Sequence, residues 1–127
     1  MKQKTVSKDK SCKVRVDSAF KGRMGDIRTL YSAEEQETKE LGSLSEYGLC
    51  IDLVKAGTFD KQRADFVQYQ ISTGGPGEEF RVYKNGDVEF WFLDWYDGAC
   101  VDVVGDDADI IKDIIGLMFP DFINSED

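Results

Sequence analysis

The 127-residue chain contains no histidine. That absence removes the Ser-His-Asp and Cys-His nucleophile arrangements, imidazole metal ligands and the usual proton shuttle near neutral pH. Proline occurs only twice, and 41% hydrophobic with 12% aromatic residues excludes a collagen-like or disordered composition. The three cysteines, Cys12, Cys50 and Cys100, form no CxxC pair, and their odd number fits no closed disulfide framework. Reduced thiols in a cytoplasmic protein are therefore expected. The opening Met1-Lys-Gln-Lys-Thr-Val-Ser-Lys8 is followed by no apolar segment, and no run approaches the ~18 apolar residues of a membrane span. Neither secretion nor membrane binding is expected.

Positive charge is scarce and unevenly placed. Sixteen Lys and Arg stand against 25 Asp and Glu, for a net charge of -9 and a pI near 4.5. Nine of the basic residues and three of the acidic ones lie between Met1 and Arg28, so a +6 arm precedes a -15 body. From Asp87 to Asp127, Lys112 is the one basic residue among 12 acidic ones. The organisation expected is a basic N-terminal arm over 1–28 and a single acidic domain over 29–127. The arm either frays in solvent and folds back on the acidic body, or makes a second contact with a partner.

In the arm, Cys12-Lys-Val-Arg-Val-Asp17 alternates apolar and charged residues and predicts a strand. Ser32-Ala-Glu-Glu35 has capping-box spacing and predicts a Glu-rich helix over 33–47, with Gly48 to end it. Leu49 to Val54 is short and apolar enough for a strand. Phe66 to Thr73 has period 2, Gly74-Gly-Pro-Gly77 forces a turn, and Asn85-Gly86 and Asp97-Gly98 each suit a two-residue hairpin. A four-stranded antiparallel meander over about 65–104 follows. Asp106 is placed to cap a helix over about 107–119, whose Ile110, Ile111, Ile114, Ile115 and Met118 form one apolar stripe before Pro120. The fold expected is α+β, with that helix packed on the meander.

Two-residue turns would set the register. Phe80 then faces Trp91, Trp95 faces Cys100 and Trp91 faces Val104. The core face becomes Val67, Tyr69, Ile71, Phe80, Val82, Trp91, Leu93, Trp95, Cys100 and Val104. The opposite face divides into a polar half (Gln68, Gln70, Ser72, Glu79, Arg81, Asp94) and an apolar half (Tyr83, Val88, Phe90, Phe92, Tyr96, Val101, Val103) needing cover.

Few patterns carry chemistry. The glycine-rich turn lacks a phosphate-binding lysine and a following helix. The aromatic strand Val88 to Tyr96 is interleaved with acids, not with the basic residues of a base-stacking platform. Asp106, Asp107, Asp109 and Asp113 fit no calcium loop, so no metal or cofactor is expected. Gln70, Glu79, Arg81 and Asp94 could together bind a charged small molecule or hold an acid-base pair, although an Arg-carboxylate structural pair is the commoner arrangement.

Tyr69-Gln-Ile-Ser-Thr-Gly-Gly-Pro-Gly-Glu-Glu-Phe-Arg81 and Val88-Glu-Phe-Trp-Phe-Leu-Asp-Trp-Tyr-Asp-Gly-Ala99 resemble a group of small uncharacterised proteins carried by plasmids and phages. The likeness runs from Tyr47 to Ala99 and leaves out the basic arm; the group often has Trp in place of Thr73. It implies a mobile-element setting, and no catalytic residues carry over from it. The expectation is a non-enzymatic acidic protein that occupies a basic host protein, with a nucleic-acid-handling defence protein as the specific form. Its contact surface would be Asp97, Asp102, Asp106, Asp107, Asp109, Asp113 and Asp121. The alternatives are a ligand-binding domain or enzyme using the Glu79/Arg81/Asp94 face, and a nucleic-acid binder acting through the arm alone, as a monomer or homodimer.

Overall fold

The computed structural model describes residues 11–59, 62, 64–73, 76–94 and 97–123. Helix α1 (Cys12–Ser32) is followed by a 3₁₀ turn (Glu34–Gln36), a two-strand ladder of β1 (Glu37–Thr38) and β2 (Gly42–Ser43), and one turn of helix, α2 (Leu44–Tyr47). Strands β3 (Cys50–Val54), β4 (Phe66–Ser72), β5 (Gly77–Tyr83), β6 (Val88–Asp94) and β7 (Asp97–Val103) form one antiparallel sheet in chain order, and α3 (Gly105–Gly116) closes the described fold. The α+β class is as expected.

The strand expected at Cys12–Asp17 is instead the start of α1. Its two valines explain the error: Val16 is buried, but Val14 is 58% exposed, so alternation was incidental. The governing period is helical, with Cys12, Val16, Met24, Ile27 and Leu30 buried along one side and Phe20 wedged against the rings of Phe80 and Phe90. Ser11 caps nothing with its side chain. The free Cys12 N–H instead donates to Asp97 Oδ2 at 2.8 Å, a cap supplied by β7 from 85 residues away. Most of the basic arm's described part is therefore a helix docked on β6 and β7, beside α3.

The Glu-rich helix over 33–47 does not form. Glu35 and Gln36 sit in the left-handed region at φ 56° and 52°, and only Leu44–Tyr47 is helical. Gly42, at φ 79°, turns the chain between β1 and β2 where the capping box had promised continuity. The sheet has five strands where a four-stranded meander was expected, because the Cys50–Val54 strand pairs with β4 and extends the sheet. The last helix begins at Gly105 with Val104 as its N-cap, ahead of Asp106, and ends at Gly116. Its buried side chains are Ala108, Ile111, Ile114 and Ile115; Met118 lies beyond it, 59% exposed.

The largest correction is a register slip at Asn85-Gly86. Gly86 N–H donates to Tyr83 O, Tyr83 N–H donates to Asp87 O, and of the Asn-Gly pair Gly86 alone has positive φ, 94°. This is a three-residue loop, a type I turn closed by a left-handed glycine, where a two-residue turn would need both residues left-handed. Phe80 consequently faces Phe90, not Trp91. One residue of slip turns every side chain of β6 to the other face.

The next reversal lies between paired Asp94 and Asp97, so Asp97-Gly98 starts β7 instead of forming the turn, and Trp91 faces Cys100. The covered face is therefore Val67, Tyr69, Ile71, Phe80, Val82, Val88, Phe90, Phe92 and Val103, all buried. Trp91, Leu93 and Cys100 lie on the opposite face and Val104 is 73% exposed. Trp95, Tyr96, Gly74 and Gly75 lie outside the described residues.

Candidate functional site: the uncovered sheet face

Because α1 and α3 both pack on one side, no helix lies over the other face of the sheet among the described residues, where Phe59 from the segment after β3 stacks on Phe66. The pairing registers place Asp52, Gln68, Arg81, Glu89 and Asp102 in one row across all five strands. With strands about 4.8 Å apart, this row crosses four gaps, roughly 19 Å. The adjoining row is Cys50, Gln70, Glu79, Trp91 and Cys100.

The centre of these rows is a preorganised network. Glu79 is 3% exposed and accepts from Arg81 Nε at 2.5 Å and Gln68 Nε2 at 2.9 Å. The Arg81 guanidinium lies 4.1 Å from the Trp91 ring centre, 4.8 Å from Phe66 and 5.4 Å from Phe59. Such partly desolvated stacking holds a cation in one place. Glu89 Oε1 accepts from Trp91 Nε1 at 2.8 Å and from Tyr83 OH at 3.0 Å. Neutral donors thus orient Glu89, while Asp102, also a carboxylate, stands directly opposite it on β7. Like charges facing across a strand pair are unfavourable in the free protein.

Beside this row, Lys55, Asp65, Tyr83, Lys84, Asp87 and Glu89 line an open hollow of about 890 Å³.

Burial, then the Glu89 carboxylate, pushes the Tyr83 phenol up to about 12. Burial, then Tyr47, raises Tyr69 to about 12 as well. A phenol whose pKa is raised by folding contributes stability below the ordinary tyrosine value, ~10, and that contribution is lost as pH rises toward the folded value. Alkaline destabilisation is therefore expected between ~10 and about 12. In an ultraviolet titration, Glu89→Gln should bring one phenol ionisation down from about 12 while Tyr69 keeps its own. An unchanged profile would show that Glu89 does not act on Tyr83.

The sequence-derived ligand set is divided. Gln70, Glu79 and Arg81 share the uncovered face, but Asp94 lies on the other side, where it accepts from Arg15 Nη1 at 2.6 Å. Glu79 and Arg81 satisfy each other, the structural pairing already weighed above.

The carboxylates expected to meet a partner are divided too. Asp97 receives the Cys12 and Gly98 N–H groups, and the Cys12 donor first holds its carboxyl below the usual aspartate range. Asp107 pairs with Arg28 at 2.6 Å, Asp113 accepts from Tyr31 OH at 2.5 Å, and Asp109 is 3.9 Å from Lys112. Arg23 pairs with Glu78. Arg15, Arg23 and Arg28 of α1 are thus all paired inside the molecule. Asp106 and Asp121 are exposed, and Asp102 belongs to the uncovered face.

The thiols of Cys12, Cys50 and Cys100 are each pushed up, first by burial and then by neighbouring carboxylates, which disfavours the nucleophilic thiolate. Among the described residues no three Cys, Asp or Glu converge to hold a metal, and no helix is long and apolar enough to cross a membrane. Trp91, Tyr83, Gln68 and Glu89 were missed as site residues. The mispaired hairpin had sent Trp91 into the core, although the i, i+2 spacing of Glu79, Arg81 and Tyr83 already pointed to one face.

Compared with known family models, curated proteins and solved structures, the chain matches none.

Proposed function

We propose that the protein is a non-enzymatic acidic interaction protein that docks a basic partner on the uncovered face of its sheet. The carrying observation is the row Asp52–Gln68–Arg81–Glu89–Asp102, in which Glu89 and Asp102 stand directly opposite each other on β6 and β7. A lysine or arginine from a partner would relieve that repulsion. Trp91, Tyr83 and Arg81 supply aromatic and guanidinium groups of the kind that anchor interfaces. The rotamers are already held by Glu79 and Glu89, so little ordering is needed on binding.

In its specific form the partner is a host nucleic-acid-handling defence protein whose phosphate sites the carboxylates occupy. The likeness to plasmid and phage proteins and the acidic body support that form. Of the residues of the ligand-binding or catalytic alternative, Gln70, Glu79 and Arg81 share this face and Asp94 does not.

The test is a nuclear magnetic resonance titration of the full chain with octa-arginine at low salt. Amides of β5 to β7 should shift, and Glu89→Gln/Asp102→Asn should weaken binding ~10-fold, with strong salt dependence. Asp106→Asn/Asp107→Asn/Asp109→Asn should change it little. The reverse pattern would move the docking surface to α3 and refute the sheet-face reading.

A further inference from the structure

Strand β3 is the outer strand of the sheet and pairs with β4 on one side; among the described residues no strand lies beyond its other edge, and near its end Gln62 Nε2 donates to Val54 O. Its two faces differ. Ile51 and Leu53 point to the helical side, yet α1 and α3 do not reach far enough to bury them; Leu53 is 38% exposed. Cys50, Asp52 and Val54 point to the uncovered side.

Alongside this edge runs an apolar groove of about 480 Å³ between β3 and the end of α3, with Leu44, Leu49, Ile51, Leu117 and Met118 in its lining. Leu117 is 81% exposed, Met118 59% and Leu49 57%. A second hollow shares Leu44, Ile114 and Leu117, so the Leu117 side chain stands between the two. A groove of this character beside an open strand edge is what strand addition requires: backbone bonds from the edge and pockets for alternate side chains.

We propose that β3 accepts an extended segment of a partner in which apolar and basic residues alternate. The apolar side chains enter the groove against Ile51, Leu117 and Met118, and a lysine or arginine lies beside Asp52 on the uncovered face. Charge complementarity selects this occupant. Asp52 begins the row that runs through Gln68 and Arg81 to Glu89 and Asp102, and it is exposed at the strand edge. A second copy in a two-fold antiparallel pairing centred on the middle of β3 would set Asp52 against Asp52, while Ile51 meets Leu53. The proposal rests on the partner being basic and adds how its backbone is gripped.

The experiment uses the full chain and the peptide acetyl-Lys-Ile-Lys-Val-Lys-Leu-Lys-amide, with the same peptide carrying Glu for Lys as control. Amide hydrogen exchange of Cys50 to Val54 should slow ~10-fold or more on saturation with the basic peptide. Leu117→Asp and Met118→Asp, at surface positions, should leave the melting temperature unchanged and weaken binding ~10-fold. Asp52→Lys should reverse the preference toward the acidic peptide. Binding that shifts only β5 to β7 amides, with no protection in β3, overturns strand addition while leaving the docking face intact. A concentration-dependent dimer dissolved by Leu117→Asp overturns it in favour of a second copy. Insensitivity to Glu89→Gln/Asp102→Asn, with β3 still protected, counts against the docking face alone.

Discussion

Arg81→Ala should lower the free energy of unfolding by about 3–5 kcal/mol, the range for leaving one member of a buried ion pair without its partner. The Arg81 and Glu79 side chains are 12% and 4% exposed, so water screens their pairing little. After the substitution, Gln68 Nε2 would be the remaining side-chain donor to Glu79 described here, and Trp91, Phe66 and Phe59 would lose the cation they surround. The cause can be separated from general disruption. Glu79→Leu/Arg81→Met removes both charges at similar volume and should recover most of the loss, because paired replacement of buried ions by apolar groups is often neutral. Denaturant unfolding of wild type, single and double variants measures this directly. A loss below ~0.5 kcal/mol in Arg81→Ala, typical of an ordinary surface change, would mean that the network contributes no stability.

Phe90→Ala should also cost about 3–5 kcal/mol, whereas Trp91→Ala, although it removes a larger side chain, should cost roughly 1–2 kcal/mol. Phe90 is fully buried, with ring centres of Phe80 and Phe20 at 5.0 and 5.7 Å, so truncation leaves a cavity beneath α1. Trp91 is half-buried on the uncovered face, where its loss forfeits the Arg81 stacking and one hydrogen bond to Glu89. The two adjacent residues thus report the register of the Asn85-Gly86 loop. Had the hairpin closed with two residues, their ranks would be exchanged, and a measured Trp91→Ala cost above that of Phe90→Ala would refute the pairing of Phe80 with Phe90.

How legible the candidate site was follows the same division. Glu79, Arg81 and Tyr83 share one strand, and alternation alone puts them on one face. Glu89 and Trp91 needed the hairpin register, which depends on whether Asn85 as well as Gly86 takes positive φ. That choice is set by the turn's fit to the twist of its strands, and the dipeptide is compatible with either loop. Asp94 was assigned to the wrong face for the same reason. Among the partner carboxylates, Asp107 and Asp113 were read as surface charge because Arg28 and Tyr31 lie 79 and 82 residues away in the chain.

What could be determined from the residues alone was local or compositional. Without histidine there was no imidazole chemistry, the strand segments from Leu49 onward were legible although the Asp97-Gly98 turn was misplaced, and the isoleucine stripe required a helix, expected over about 107–119 and found at Gly105–Gly116. Charge asymmetry left two readings of the basic segment open, docking on the acidic body or contact with a partner. Tertiary structure decided the rest. Phe20 between Phe80 and Phe90, the Asp97 cap on Cys12 N–H and the arginine pairs stabilise α1 against two internal glycines that lower its propensity. By docking α1 and α3 on one side, they left the other side of the sheet open. Long-range packing outweighs local preference when each local preference is worth under ~1 kcal/mol per residue.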